Sequence, residues 1–192
     1  MNASGRPDTR TPVGELAEHL RSWTPRDDDQ AALRDDYLEF IDQRGTSALT
    51  RESGRDHVTA SCFVFTADLS RVLLCFHRKA QSWVQLGGHI DAGDASVAAA
   101  AFREAVEEGG LEVRPLTRLP LDVDRHALGS GFATCDLHWD IGYGAVAVDG
   151  EPVVSDESEN VAWWPVDALP TNTPPGFSRR IRRVHEAASA MR

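Results

Sequence analysis

Gly87-Gly88-His89-Ile90-Asp91-Ala92-Gly93-Asp94, continued downstream by Phe102-Arg103-Glu104-Ala105-Val106-Glu107-Glu108-Gly109-Gly110-Leu111, is the stretch on which the reading of this 192-residue chain turns. An alanine-rich helix is expected from about residue 96 to Glu108, stopped by Gly109-Gly110. Successive helical residues turn by about 100°, so Glu104, Glu107 and Glu108 fall within about a third of the circumference. Ala98, Phe102, Ala105 and Val106 lie opposite, as the expected core-facing stripe. Val97, Ala100 and Ala101 share the carboxylate side and are small enough for the glycine loop to pack over it.

The three carboxylates sit badly for an isolated helix. Glu107 and Glu108 occupy the last turn, where the negative end of the dipole costs about 0.3–1 kcal/mol per anion. Glu104 and Glu108 form a like-charged i, i+4 pair, also unfavourable. Local rules broken together mark a functional patch. A divalent cation would resolve the conflict, since carboxylate oxygens completed by water and substrate phosphates are what Mg²⁺ prefers. The plain alternative is a solvated acidic face; the glycine loop and the adjacent Arg103 favour the metal site.

This segment resembles the Nudix box, whose pattern is G, five residues, E, seven residues, R-E-U-x-E-E-x-G-U, with U apolar. Arg103, Glu104, Ala105, Glu107, Glu108, Gly110 and Leu111 fall at the expected steps, and Gly88 and Asp94 keep their spacing with Asp in place of Glu. Fourteen residues separate Gly88 from Arg103 where the pattern has thirteen, so one extra residue lies between Asp94 and Arg103. The resemblance covers residues 57–170.

What the resemblance implies is a Nudix-like α/β/α sandwich with a mixed sheet, and metal-dependent hydrolysis of a diphosphate bond in a nucleoside diphosphate derivative. Such a bond resists attack because its oxygens repel nucleophiles, and bound divalent ions neutralise that charge and orient water. The implied catalytic residues are Arg103, Glu104 and Glu108. Glu104 and Glu108 would lead the ligation of Mg²⁺ or Mn²⁺, with Glu107 a further ligand or supporting acid and the Gly88 carbonyl another donor. Arg103 would hold Glu104 through a charge-assisted fork. The general base comes from the box or from a later loop, where Glu157 and Glu159 are the candidates; each also suits an ordinary surface position.

Two other readings keep this fold. One is an isomerase of allylic diphosphates, which needs a protonating acid and usually a reactive cysteine in an apolar pocket. The other is a module that senses a nucleotide without cleaving it. Cys62 and Cys75 sit in strand patterns, as core residues do, and a sensor is expected to lose a box carboxylate. Catalysis is therefore the expected function, on a small nucleotide substrate.

Outward from the box, Arg78, Lys79 and Trp83 flank the loop entry as candidates to meet phosphate and a base or sugar, with ordinary surface cations as the alternative, and His89 either faces substrate or is a hydrogen-bonded structural histidine. Residues 58–65 and 71–76 read as two strands joined by a short turn at Asp68. Further strands are expected over 119–124, 134–148 and 160–164, and a last helix over 178–191 with Ile181, Val184, Ala188 and Met191 inward. Trp163-Trp164 mark a strand end with one ring packed in the core. Upstream, Thr11-Pro12 reads as a helix start, followed at helical spacing by Val13, Leu16, Leu20 and Trp23. A second helix begins at Asp27-Asp28-Asp29, carries Leu33, Tyr37, Phe40 and Ile41 on one face, and stops at Gly45. The expected division is a helical extension over 1–55, with a polar, mobile start, and a Nudix-like catalytic domain over 56–192.

Thirty acidic against twenty basic residues give a net charge of −10, the wrong sign for gripping long nucleic acid. Small anions stay open as ligands, because a metal or a local cationic pocket overrules net charge. Three cysteines without a CxxC speak against a zinc ribbon and fit a reducing compartment. The longest apolar run, 97–102, is too short to span a membrane, and the first residues lack a secretory apolar stretch, so the cytoplasm is the expected address. Cys135-Asp136-Leu137-His138-Trp139-Asp140 reads as a half-exposed strand rather than a metal site, because no second ligand pair is visible. Arg179, Arg180, Arg182 and Arg183 make the last helix basic. They are expected to offset the acidic surface, with docking to a second copy as a homodimer, or to an RNA end, as the alternatives.

Overall fold

In the computed structural model, which describes residues 11–128, 135–156 and 158–192, the chain starts as its capping signals dictate. Thr11 Oγ1 accepts from the Gly14 N–H at the start of α1 (Pro12–Ser22), and Asp27 accepts from Gln30 N–H at the start of α2 (Asp28–Arg44). Gly45, at φ 58°, ends α2 in a conformation that favours glycine. After two short 3-10 turns come β1 (Asp56–Phe65), β2 (Arg71–His77), β3 (Ser82–Val84), β4 (Leu86–His89), α3 (Val97–Gly109), β5 (Val113–Pro115), β6 (Asp122–Ala127), β7 (Leu137–Ala147), β8 (Ser158–Pro165) and α4 (Phe177–Ser189). The first ten residues, Thr134 of the expected strand and Glu157 lie outside the described residues.

The sheet is mixed. β1 runs parallel to β7 over its whole length, with His57 opposite His138 and Thr59 opposite Asp140. The other edge of β1 is shared: β4 pairs antiparallel with its first half and β2 with its end. β7 carries β6 and β5 on its far edge, and β2 carries β8 and β3. Side chains alternate across a strand. Val58, Ala60, Cys62 and Val64 of β1 therefore enter the core shared with α1, α2 and α3, whereas Phe63 and Phe65 enter the core under α4. Helices thus cover both faces of a mixed sheet, the expected α/β architecture.

The N-terminal helices join this core as integral parts. Gln30 Nε2 donates to Val123 O and Gln30 Oε1 accepts from Val123 N–H, while Tyr37 Oη donates to the carbonyls of Asp124 and Asp140. Tyr37 also packs edge-on against Trp139.

Several details depart from the sequence expectations. Gly87 and Gly88 belong to β4 rather than to a loop, and β3 and β5 are three-residue strands too short to show periodicity. The strand expected over 119–124 starts only at Asp122. α4 stops at Ser189, which leaves Met191 half exposed instead of inward. Arg180 is 5% exposed and lies inside, not on an acidic-balancing surface.

Candidate active site

α3 presents its carboxylates differently from the expected amphipathic split. Val97, Ala98, Ala100, Ala101 and Ala105 are buried, and so is Glu108, whereas Val106 of the expected core stripe is 43% exposed. The alanines let the helix approach β4, and the carboxylates on that side meet the strand's two glycines. Glu108 Oε2 accepts from Gly87 N–H at 2.7 Å. The Glu104 carboxylate lies against Gly88, where an added Cβ would stand 2.6 Å from Oε1.

Arg103 lies at the centre of the cluster. It donates to Glu104 at 2.9 Å, to Glu107 at 2.9 Å, to both oxygens of Asp94 at 3.0 Å, and to the carbonyl of His89 at 3.1 Å. This guanidinium offsets the carboxylate repulsion evident in the sequence. The Asp94 bonds first, and then Glu104 and Glu107, hold Arg103 charged against its partial burial. Burial pushes the Asp94 carboxyl up, but Arg103 and the Asp91 backbone more than reverse it and hold it ionised. The extra residue upstream of Arg103 therefore leaves Asp94 as the outer jaw of the Arg103 clamp.

Two clefts meet at Gly88 and His89. A cleft of about 610 Å³ is lined by Glu104, Glu107, Arg103 and Asp94 on one side and by Thr46, Leu49, Arg51 and Glu52 of the N-terminal region on the other. A larger one, of about 890 Å³, runs past Glu108 over Ser61 and Asp140 to Lys79 and the start of α4 at Arg179 and Arg180. Its floor is a buried polar network. Thr59 and Ser61 donate to Asp140 Oδ1 at 2.8 and 2.9 Å, and Arg180 pairs with Asp140 at 2.7 Å and with Asp122 at 2.5 Å. Arg183 adds an ion pair to Asp122. Burial disfavours the Asp140 carboxylate, but Arg180 and the hydroxyl bond from Ser61 keep it below the usual carboxylate range.

The other expected site residues divide. Lys79 and His89 line the larger cleft; Arg78 and Trp83 line neither. Arg78 donates to the Asp156 carbonyl, and the Trp83 ring packs edge-on against Phe76 and Trp164. Both Trp163 and Trp164 are half-buried. Glu159 is exposed, accepts from Gln81 Nε2 and lies outside both clefts. No cysteine lines either cleft; Cys62 is buried in the core, where burial alone pushes its thiol far up.

A second group escaped the sequence reading. His57, His89, His138 and Cys135 offer ligand atoms within 4.8 Å of one another. The second ligand pair that the strand around His138 lacked in sequence comes from β1 and β4. Burial foremost lowers the His57 imidazole, takes His89 to about 4 and His138 to about 3, so all three are neutral near pH 7.

The two glycines separate a backbone role from a site role. Gly87 has φ 153°, and a Cβ there would stand 2.6 Å from the Ala60 carbonyl. Gly87→Ala is therefore expected to lower stability by roughly 1–3 kcal/mol from backbone strain alone. At Gly88 the obstructing atoms belong to the end of the flexible Glu104 side chain. Gly88→Ala is expected to keep the fold and lower activity by displacing that carboxylate. Thermal melts beside initial rates separate the two; equal melting losses in both variants would remove the distinction.

The NUDIX domain model matches residues 55–185. No curated protein matches the chain. Among solved structures the chain is similar to a NUDIX-family hydrolase from Clostridium perfringens, at 24% identity and TM-score 0.56 over 71% of this chain and 98% of the other. A MutT NUDIX hydrolase from Burkholderia pseudomallei is 25% identical, with TM-score 0.53, over 67% of this chain and 98% of the other. A UDP-X diphosphatase shares the fold at 15% identity and TM-score 0.57 over 95% of this chain and 98% of its own.

Proposed function

The chain belongs to the NUDIX family, and from that premise we propose that this pyrophosphohydrolase cleaves the phosphoanhydride of a nucleoside diphosphate derivative with Mg²⁺ or Mn²⁺. The observation that carries the reading is the Arg103 clamp, which gathers Glu104, Glu107 and Asp94 beside Gly88 where the two clefts meet. A hard cation fits this donor set. The residues are carboxylates, the Glu104 carboxylate occupies the space a Cβ at position 88 would take, and a carboxylate accepts more than one bond, so the Arg103 clamp and metal ligation are compatible. Glu104, Glu107, Glu108 and the Gly88 carbonyl would hold the ion, which supplies charge neutralisation on the diphosphate and an acidified water.

The chain's own residues do the rest. Arg103 fixes the direction of Glu104, and the Gly87 N–H fixes that of Glu108, so neither carboxylate has to reorganise during the reaction. Lys79 and Arg179 place positive charge along the larger cleft, where the leaving half of a dinucleotide-like or sugar-linked diphosphate can lie. A box carboxylate takes the proton of the attacking water as the bridging P–O bond breaks, giving two phosphate-ended products. We assign residues 1–55 as a helical extension that walls the smaller cleft through Thr46, Leu49 and Arg51, and 56–192 as the catalytic domain.

Hydrolysis of some member of a panel of nucleoside triphosphates, dinucleoside polyphosphates, nucleotide sugars and capped RNA is expected with Mg²⁺ or Mn²⁺, and its loss with chelator. Binding without turnover across that panel would replace hydrolysis by nucleotide sensing.

A further inference from the structure

A histidine cluster sits on the sheet face away from α3, where His89 and His138 line the larger cleft, and the reaction above assigns it no role. His57 and His138 face each other across the parallel β1–β7 pair, and His89 arrives from β4, which pairs with β1 two residues further on. The imidazole centroids stand 5.0, 5.1 and 5.5 Å apart. His57 Nε2 lies 4.0 Å from Cys135 Sγ, and His57 and Cys135 are buried. Nε2 of His89 and Nε2 of His138 are buried without a hydrogen-bond partner, which is costly unless something ligates them.

We propose that His57, His89, His138 and Cys135 form a four-ligand site for a divalent cation of the Zn²⁺ class. Imidazole and thiolate are borderline-to-soft donors that select Zn²⁺ and its first-row neighbours over Mg²⁺, so this ion is chemically distinct from the one at the carboxylates. Four protein ligands fill a tetrahedral shell, which makes it a structural rather than a hydrolytic site. Tetrahedral ligands at about 2.0–2.3 Å stand roughly 3.3–3.8 Å apart, so the four atoms need close by only about 1 Å. Binding takes the proton from the Cys135 thiol and releases it to solvent. The ion ties β1, β4 and β7 to the chain entering β7, at the residue next to Gly88.

The test uses the full chain, stripped with chelator and reloaded with Zn²⁺ or Co²⁺. Wild type is expected to keep one Zn²⁺ equivalent through gel filtration, and the Co²⁺ form to show a near-ultraviolet thiolate-to-cobalt charge-transfer band. Cys135→Ser should lose that band, and His138→Gln should lose the retained equivalent; far-ultraviolet circular dichroism shows whether each is folded. Glu104→Gln should keep both signals, because it touches only the carboxylate site. Wild type retaining no Zn²⁺, a band that survives Cys135→Ser, or Zn²⁺ that departs with Glu104→Gln would each overturn the proposal.

Discussion

Replacing Glu104 with glutamine is expected to cut turnover by at least about 100-fold at saturating Mg²⁺ while moving Tm by no more than a few degrees. Gln keeps the volume, so the packing beside Gly88 and the alanine face survives. It loses the charge that Arg103 orients and the anionic oxygens a hard cation prefers. The Glu104 side chain is 17% exposed, so the change removes no fully buried group. Arg103→Ala should also lower turnover, although it removes no proposed ligand, because Glu104, Glu107 and Asp94 lose their common partner. Steady-state rates and melts on the same preparations decide the matter; near-normal rates in both variants would sink the assigned roles.

Arg180→Met should act on stability instead. Arg180 is 5% exposed and pairs with Asp122, which is fully buried, with Asp140 at 2% exposure, and with Asp124. Removing one partner of a buried ion network strands the others, which costs about 3–5 kcal/mol. For a chain of this length that is roughly 6–20 °C of Tm. The loss should depend on pH with a definite sign. In the wild type, burial opposes ionisation of Asp140 and Asp124, yet Arg180 on Asp140, and the His126 bond with Arg180 on Asp124, hold both low, Asp124 at about 2. Their stabilisation is present above the unfolded carboxylate range and disappears as pH falls toward 2. Without Arg180, burial of Asp140 is unopposed by its main partner, its carboxyl rises above the unfolded value, and the folded variant binds the extra proton. The gap in Tm between wild type and variant should therefore widen from pH 4 to pH 7. A constant gap would assign the loss to packing alone.

The difference between these two residues explains what could be read from sequence. Glu104, Glu107, Glu108 and Arg103 lie within six consecutive positions of one helix, so spacing alone brings them together. The same holds for the caps at Thr11 and Asp27, whose partners are three residues away. Arg180 looked like any cation of a basic amphipathic helix, because its carboxylates are contributed by β6 and β7, far away in the chain. His57, His89 and His138 are single histidines on three strands, and only the β1–β4 and β1–β7 registers make them neighbours. The burial of Glu108 was likewise hidden: its partner is the Gly87 N–H, and periodicity says nothing about which side of α3 the sheet will take. The split of the chain at residue 55 follows a change of composition, but Tyr37 and Gln30 bond across it to β6 and β7.

The parallel pairing of β1 with β7 sets a timetable for synthesis. Thr59 and Asp140, opposite each other in that ladder, are 81 residues apart in the chain. At roughly 5–20 residues per second, β1 leaves the ribosome about 4–16 s before its partner exists. Through that interval Val58, Ala60, Cys62, Phe63, Val64 and Phe65 form an apolar strand with one edge open to any other chain. His138, Asp140, Arg180 and Arg183 arrive only at the end, so no nascent chain shorter than about residue 183 can assemble the larger cleft. Closure of this long loop is therefore expected late in folding, because its entropy cost comes before the β1–β7 contacts that offset it.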